Sequence, residues 1–213
     1  MVEIVPLVSV FAVFVPALVL PGPDFVAVVR VAMTRGARAG IFTALGTTIG
    51  LVTYAALSIF GLSALLAQVE WLTIVVRVLG GAYLVYLGVR LVRTPPDQLD
   101  IGDAPAPAPI GARRAVLGGL LVNLTNPKAI VLFASVFATA ITPQTHAATM
   151  ALMVVLVGVT TLVWYTLVSL FMASPPVIQR FAGARHRIER IAGVAFVAIG
   201  GKLIADARSP VST

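Results

Sequence analysis

Long apolar segments recur along this chain and limit its fold more than any other feature. Crossing the hydrocarbon core of a bilayer takes roughly 20 apolar residues. Six segments approach that length: about Val5 to Met33, Ile41 to Leu66, Leu72 to Val92, Ala115 to Ile141, Ala147 to Ala173 and Ile191 to Ala205. Mean hydropathy is +1.03. The pattern predicts an all-α membrane protein with six transmembrane helices rather than a barrel, whose strands would alternate polar and apolar residues.

A stretch rich in proline and aspartate, residues 94–112, divides these segments into two sets of three. Its composition cannot build an apolar core, so it is predicted to be an exposed cytoplasmic linker within a single membrane domain. The first three-helix repeat then covers 1–93 and the second covers 113–208. Because each set has an odd number of spans, the second runs through the bilayer in the opposite sense. This is the inverted-repeat organisation of many secondary transporters.

The first helix of each repeat is over-long and interrupted by proline. The interruptions read LPGPDFVAVV, with Pro21, Gly22, Pro23 and Asp24, and LTNPKAIVLF, with Asn126, Pro127 and Lys128. Proline has no N–H, so carbonyl groups upstream of it lose their helical partners. In a membrane such groups persist only inside protein or beside a polar cavity. Corresponding breaks in the two halves predict a substrate site near the bilayer midplane.

Each break carries a charge of opposite sign. Asp24 is the only acidic residue well inside a predicted span, and Lys128 is the only lysine in the interior of one. A charge at that depth costs roughly 2.5–3.5 kcal/mol, so it requires a partner or a polar cavity. We expect the two charges to compensate each other. We also expect a small zwitterion to place its ammonium near Asp24, which also takes up a proton, and its carboxylate near Lys128 and freed backbone N–H groups; a purely structural pair is the alternative.

Basic residues predict the orientation. Of the 15 Lys and Arg, eleven fall in three loops on one side: Arg30, Arg35, Arg38, Arg90, Arg93, Arg113, Arg114, Arg180, Arg185, Arg187 and Arg190. The loops of the other side, around 68–71 and 142–146, contain none. By the positive-inside rule the basic loops are cytoplasmic, and both termini face outward if all six segments span. The sixth segment, with Lys202 at its far end, is the one that could fail to span.

Several classes of function are disfavoured by the motifs that the sequence lacks and by the placement of its charges. It has no cysteine, no HExxH, no GxSxG and no Walker-type phosphate loop, so an enzyme, a cofactor, a metal centre and ATP hydrolysis are not predicted. The net charge of +7 lies at the ends of apolar segments, which argues against nucleic acid as a partner. A passive channel, a transporter for another solute such as a metal ion, a structural helix bundle and a homo-oligomer stay open.

Four motifs in order carry a family resemblance: PGPDF, RGARAGIFTALGTTIG, LGGAYLVYLGVRLVR and GGLLVNLTNPKAIVLF. Together they resemble the LysE-type (lysine exporter) translocator family, and in particular its homoserine/threonine exporter branch, over nearly the whole chain. The resemblance implies a bacterial inner-membrane exporter of amino acids or close derivatives, driven by the proton motive force. It carries a site to Pro21, Gly22, Pro23, Asp24, Asn126, Pro127 and Lys128. The choice among basic, neutral and sulfur-containing amino acids does not carry over.

Overall fold

The regular structure of the protein is helical wherever it is described. The computed structural model describes residues 2–62, 70–93, 110–137, 145–172 and 175–208. These contain eight α-helices: α1 Ile4–Val19, α2 Pro23–Arg35, α3 Ala37–Ala56, α4 Glu70–Arg93, α5 Ala112–Leu124, α6 Pro127–Leu132, α7 Ala147–Phe171 and α8 Pro175–Ala205. Two π-helical segments, Leu57–Leu62 and Phe133–Phe137, extend α3 and α6. A 3-10 turn, Asp206–Arg208, follows α8. The predicted all-α class is confirmed.

Two continuous helices in the described ranges are long and apolar enough to cross a membrane, Ala37–Gly61 and Ala147–Phe171. The pair formed by α1 and α2 passes the same test as one span with a bend of 45°. The protein is therefore a membrane protein with helical apolar spans. Most of the predicted linker 94–112, and the ends of the predicted second and fourth segments, lie outside the described residues.

The basic segment before the sixth apolar segment is helical, so the prediction of a loop there is wrong. Helix α8 begins at Pro175 and runs without interruption to Ala205. Proline is favourable in the first turn of a helix because its missing N–H would have no helical partner there. The following residues include several Ala and Arg, which favour helix formation regardless of their hydropathy. Hydropathy located the apolar part of this helix and missed its polar beginning.

The predicted break in the first segment is present between α1 and α2. The N–H of Leu20 donates to the carbonyl oxygen of Pro16 at 3.0 Å and ends α1. Pro21 and Pro23 offer no N–H to continue the helix. Helix α2 then starts with Pro23 in its first turn, and the N–H of Val26 donates to Gly22 at 2.9 Å. Proline therefore both ends one helix and starts the next.

The break in the fourth segment has a similar construction with one addition. Helix α5 ends at Leu124 and α6 begins at Pro127. Between them, the side chain of Asn126 accepts a hydrogen bond from the N–H of Lys128 at 3.0 Å, which is the geometry of an N-cap. Gly22, at the corresponding position before α2, offers no side-chain cap.

Glycines allow the helices around these breaks to approach closely. Helix α3 packs along α5 and α7, and α4 packs along α8. A Cβ at Gly46 would collide with the carbonyl oxygen of Val116, and one at Gly119 would collide with that of Thr43. Gly81 of α4 and Gly200 of α8 face each other in the same way. A Cβ at Gly81 would lie 2.7 Å from the carbonyl oxygen of Gly200, and a Cβ at Gly200 would lie 2.5 Å from that of Gly81. The contacts of Gly46 and Gly119 hold α5, and therefore the second break, against α3.

Candidate functional site

Asp24 lies in the first turn of α2 and is buried, with 7% of its surface exposed. Its Oδ2 accepts hydrogen bonds from the side-chain amides of Asn123 at 3.0 Å and Asn126 at 2.9 Å. The start of a helix favours an anion, because its first N–H groups have no helical acceptors. The other carboxylate oxygen, Oδ1, is buried and has no hydrogen-bond partner among the described residues. One oxygen of the carboxylate is thus held in place, and the other can accept from a further group.

Asn126 joins the two breaks. Its Oδ1 caps α6 by accepting from the N–H of Lys128, and its Nδ2 donates to Asp24 on α2. The side chain is 3% exposed. An aspartate could supply the cap but no donor, whereas the amide carries an acceptor and a donor on two separate atoms that reach the two partners. Asn126 therefore fixes the position of Asp24 relative to α6.

Lys128 reaches from the second break to the first. Its Nζ donates to the carbonyl oxygens of Ala17 at 2.6 Å and Leu20 at 3.2 Å. In a continuous helix the carbonyl of Ala17 would accept from the N–H of residue 21, which is a proline and has none. The ammonium also lies at the C-terminal end of α1, where the helix dipole favours a cation. The carbonyl groups freed by the first break are thus satisfied by the charge of the second.

The charges at the breaks do not meet directly. Within the described part of the chain, Asp24 and Lys128 form no ion pair; each is hydrogen-bonded to neutral groups. The sequence predicted the two charges at one place and missed Asn123, which supplies half of the hydrogen bonding to Asp24. The sequence offered one signal for it, since Asn123 is a second amide three residues before Asn126, at the end of the helix that precedes the break.

Two cavities meet at the breaks. The larger, which we call the vestibule, has a volume of about 790 Å³ and is lined by Pro21, Gly22, Pro23, Arg30, Thr43, Tyr83, Arg90, Arg114, Asn126, Pro127 and Lys128, among others. The smaller, the inner cavity, has a volume of about 20 Å³ and is lined by Phe14, Ala17, Leu20, Gly22, Asp24, Asn126, Lys128 and Tyr165, among others. The vestibule is within the range of small-molecule sites, about 300–1,000 Å³. The inner cavity holds about one water-sized group.

Gly22, Asn126 and Lys128 line both cavities, so the barrier between them consists of the two breaks. Of the other predicted site residues, Pro21, Pro23 and Pro127 line the vestibule alone. Asp24 lines the inner cavity alone. All seven residues predicted from the sequence therefore lie around this one junction.

Aromatic rings lie on the α1 side of the inner cavity. Phe14 makes edge contacts with Phe11 and with Phe133, at centroid distances of 5.6 and 5.8 Å, and Tyr54 stacks on Phe133. At the N-terminal end of α1, the carboxylate of Glu3 accepts a hydrogen bond from the N–H of His146, which precedes α7, at 3.1 Å. On this side the helices are in contact, whereas on the other side the vestibule reaches the breaks.

Discontinuous helices that carry charges and end at a polar cavity define a class of protein, the helical membrane transporters. The comparisons with known proteins agree. A family model described as LysE type translocator matches residues 15–207, and the chain belongs to that family. It is therefore a translocator and not an enzyme.

The chain is similar to several curated proteins over most of its length. It is 33% identical over 200 residues to the threonine efflux protein of Salmonella typhi, and this alignment covers 92% of the present chain and 96% of the Salmonella protein. The threonine efflux protein of Escherichia coli K12 gives 33% over 198 residues with the same coverage. The leucine efflux protein of Salmonella choleraesuis is 32% identical over 120 residues, 55% of each chain. No solved structure matches the chain.

A metal-ion transporter, one of the alternatives left open by the sequence, would need a cluster of ligands. Among the residues that the structure describes, no group of three or more His, Cys, Asp or Glu side chains is close enough together to hold a metal ion. The polar groups at the junction are one carboxylate, two amides and one ammonium, which is a set that suits a zwitterion better than a bare cation.

Proposed function

We propose that the protein exports a neutral amino acid of the size of threonine or leucine across the bacterial inner membrane, coupled to proton entry. The observation that carries the proposal is the carboxylate of Asp24. It is buried at the junction of two broken helices, one of its oxygens is fixed by two amides, and the other has no partner among the described residues. Family membership and the names of the similar efflux proteins support an amino acid as the substrate.

The substrate ammonium binds to Oδ1 of Asp24 in this proposal, and its carboxylate binds to Lys128. The lysine ammonium has three N–H groups, of which two are used by Ala17 and Leu20, so one is left for a carboxylate. N–H groups at the start of α2 that have no helical acceptor add donors in this proposal. The inner cavity of about 20 Å³ is too small for an amino acid, so α1 and α6 must separate for the substrate to pass.

Proton coupling follows from the same oxygen. Oδ1 of Asp24 can carry either a proton or the ammonium of the substrate, because each neutralises the buried carboxylate. Release of the amino acid on one side then favours uptake of a proton there, and the return step carries the proton inward. The proton and the substrate ammonium thus share one carboxylate as their common site, which is the simplest way to couple their transport.

The contacts between helices support six spans arranged as two inverted repeats. If the repeats are α1 to α4 and α5 to α8, two pairs of equivalent helices contact each other: α3 with α7, and α4 with α8. Such pairing is expected when a two-fold axis in the membrane plane relates the repeats. With the basic side in the cytoplasm, the vestibule is the cytoplasmic entrance and the structure is an inward-facing state.

The experiment that tests this function is transport by the purified protein in liposomes. We expect labelled threonine or leucine to accumulate against its gradient when a pH gradient is imposed, and the accumulation to collapse when a protonophore removes that gradient. Protein-free liposomes are the control. Equilibration without accumulation would indicate a passive channel, and no movement of either amino acid would contradict the proposal.

A further inference from the structure

The vestibule has a strong excess of positive charge. Arg30 of α2, Arg90 of α4 and Arg114 of α5 line it, and Lys128 lies at its inner end. No aspartate or glutamate of the described ranges lines it. Asp24 lies beyond these cations, in the inner cavity. Among the described residues, a solute that enters by this route therefore passes basic side chains before it reaches the carboxylate of Asp24.

Basic residues on this side are also expected from the positive-inside rule, so their number alone shows nothing about substrates. Their placement is more informative. Three helices far apart in the sequence each turn one arginine into the same cavity, whereas Arg35 and Arg113, which lie near Arg30 and Arg114 in the chain, do not line it. Orientation in the membrane requires basic residues on the correct side but not their convergence on one cavity.

We propose that the vestibule selects amino acids by charge: it admits zwitterionic and anionic amino acids with the carboxylate towards the arginines, and it rejects those with a cationic side chain. This inference rests on the proposed export of amino acids and names the substrate class that the same site excludes. A cavity lined by charges of one sign and walled by apolar protein raises the local concentration of groups of the opposite sign. A lysine or arginine substrate carries a second cation into that field, and Asp24 can neutralise only one ammonium.

The orientation of the substrate follows from the same order of charges. The ammonium must pass the arginines to reach Asp24, while the carboxylate is attracted to them, so the bound zwitterion lies with its carboxylate on the vestibule side. Lys128 lines both cavities and is the group that can hold that carboxylate at the end of the path. A cationic side chain on the same molecule has only the vestibule or the aromatic cluster of Phe11, Phe14 and Phe133 to enter, and neither offers a described carboxylate.

Two double variants with the same change of charge test this selection. The vestibule variant, Arg30→Gln with Arg114→Gln, removes two cations that line the vestibule. The control variant, Arg35→Gln with Arg113→Gln, removes two cations from the same helices, and these two do not line the vestibule. Uptake of labelled threonine into inside-out membrane vesicles is measured at low and high KCl, with unlabelled lysine as a competitor. Protein amount in the membrane is measured for each variant.

We expect the vestibule variant to let lysine compete with threonine at low salt, because two of the cations that repel the second ammonium of lysine are gone. High KCl should reduce the difference between the variants, since salt screens that repulsion. The KM for threonine, which has no net charge, should change much less than the inhibition by lysine. The control variant should behave as the wild type, which lysine does not inhibit. Equal lysine competition in both variants would overturn the proposal, as would inhibition of the wild type by lysine as strong as that by threonine. If the wild type moves neither threonine nor leucine, the proposed function itself fails, which is a separate outcome.

Discussion

The two helix breaks have similar sequences and different chemistry. The first exposes carbonyl groups at the end of α1, and its cap position is a glycine with no side chain to offer. The second is capped by Asn126, and its lysine extends away from its own helix. Lys128 satisfies carbonyl groups of the first break, and Asn126 holds the carboxylate of the first break. The first break supplies acceptors and the second supplies donors.

This complementarity explains how both breaks persist inside a membrane. Each one alone would leave polar groups without partners in an apolar environment, at several kcal/mol per group. Packed together, they satisfy most of these groups and leave two buried oxygens without a partner among the described residues, Oδ1 of Asp24 and Oδ1 of Asn123. Asn126 and Lys128, which make these hydrogen bonds, also line both cavities, so we expect a separation of the two breaks to connect the cavities.

The largest effect is expected when the donor of the second break is removed. Lys128→Met leaves the carbonyl oxygens of Ala17 and Leu20 without a donor and removes the partner of the substrate carboxylate. We expect transport to fall to background and the free energy of unfolding to fall by about 1–3 kcal/mol for each unsatisfied carbonyl. Transport in liposomes and thermal unfolding in detergent measure the two effects. Lys202→Met, at an exposed residue of α8, is the matched control. A Lys128→Met protein as stable and active as that control would contradict the claim that the second break supplies donors to the first.

A smaller effect separates the two roles of Asn126. Asn126→Ser keeps an N-cap oxygen but removes the amide that donates to Asp24, whereas Asn126→Ala removes both. We expect both variants to lose about 1.5–3 kcal/mol of stability with the hydrogen bond to Asp24, and the alanine variant to lose about 1 kcal/mol more with the cap. Both should transport roughly tenfold more slowly, because a hydrogen bond to a charged group contributes about 1.5–3 kcal/mol. Wild-type transport by the serine variant would show that the contact with Asp24 is dispensable.

The smallest effect compares the prolines themselves. Pro21→Ala introduces an N–H that competes with Lys128 for the carbonyl of Ala17. Pro127→Ala introduces one opposite the carbonyl of Asn123, which already accepts from the N–H of Asn126 at 2.9 Å. We expect Pro21→Ala to slow transport about fivefold, corresponding to about 1 kcal/mol for one hydrogen bond, and Pro127→Ala to change it less than twofold. Initial rates of threonine uptake decide the order, and a reversed order would contradict the assignment of acceptors to the first break.

How much of this could be predicted from the sequence depends on whether a feature is local. Both helix breaks could be predicted, because proline interrupts a helix wherever it falls inside one. Asp24 and Lys128 could be recognised as site residues, because a charge within an apolar segment is costly. The partners could not, because the reach of Lys128 to Ala17 depends on how two distant helices pack. The helical start of α8 was missed because hydropathy reports burial in lipid and not helix formation.

Binding of threonine to the purified protein is the measurement that tests the role of Asp24 most directly. Isothermal titration compares the wild type with Asp24→Asn, with Asp24→Asn combined with Lys128→Met, and with the control Asp206→Asn on an exposed residue. We predict that Asp24→Asn folds with the stability of the wild type or greater and binds threonine roughly 10- to 100-fold more weakly, as expected for loss of a charged acceptor. The double variant should remain folded and not bind measurably. Threonine binding by a folded Asp24→Asn protein with the affinity of the wild type would contradict the assignment of this carboxylate to the substrate ammonium.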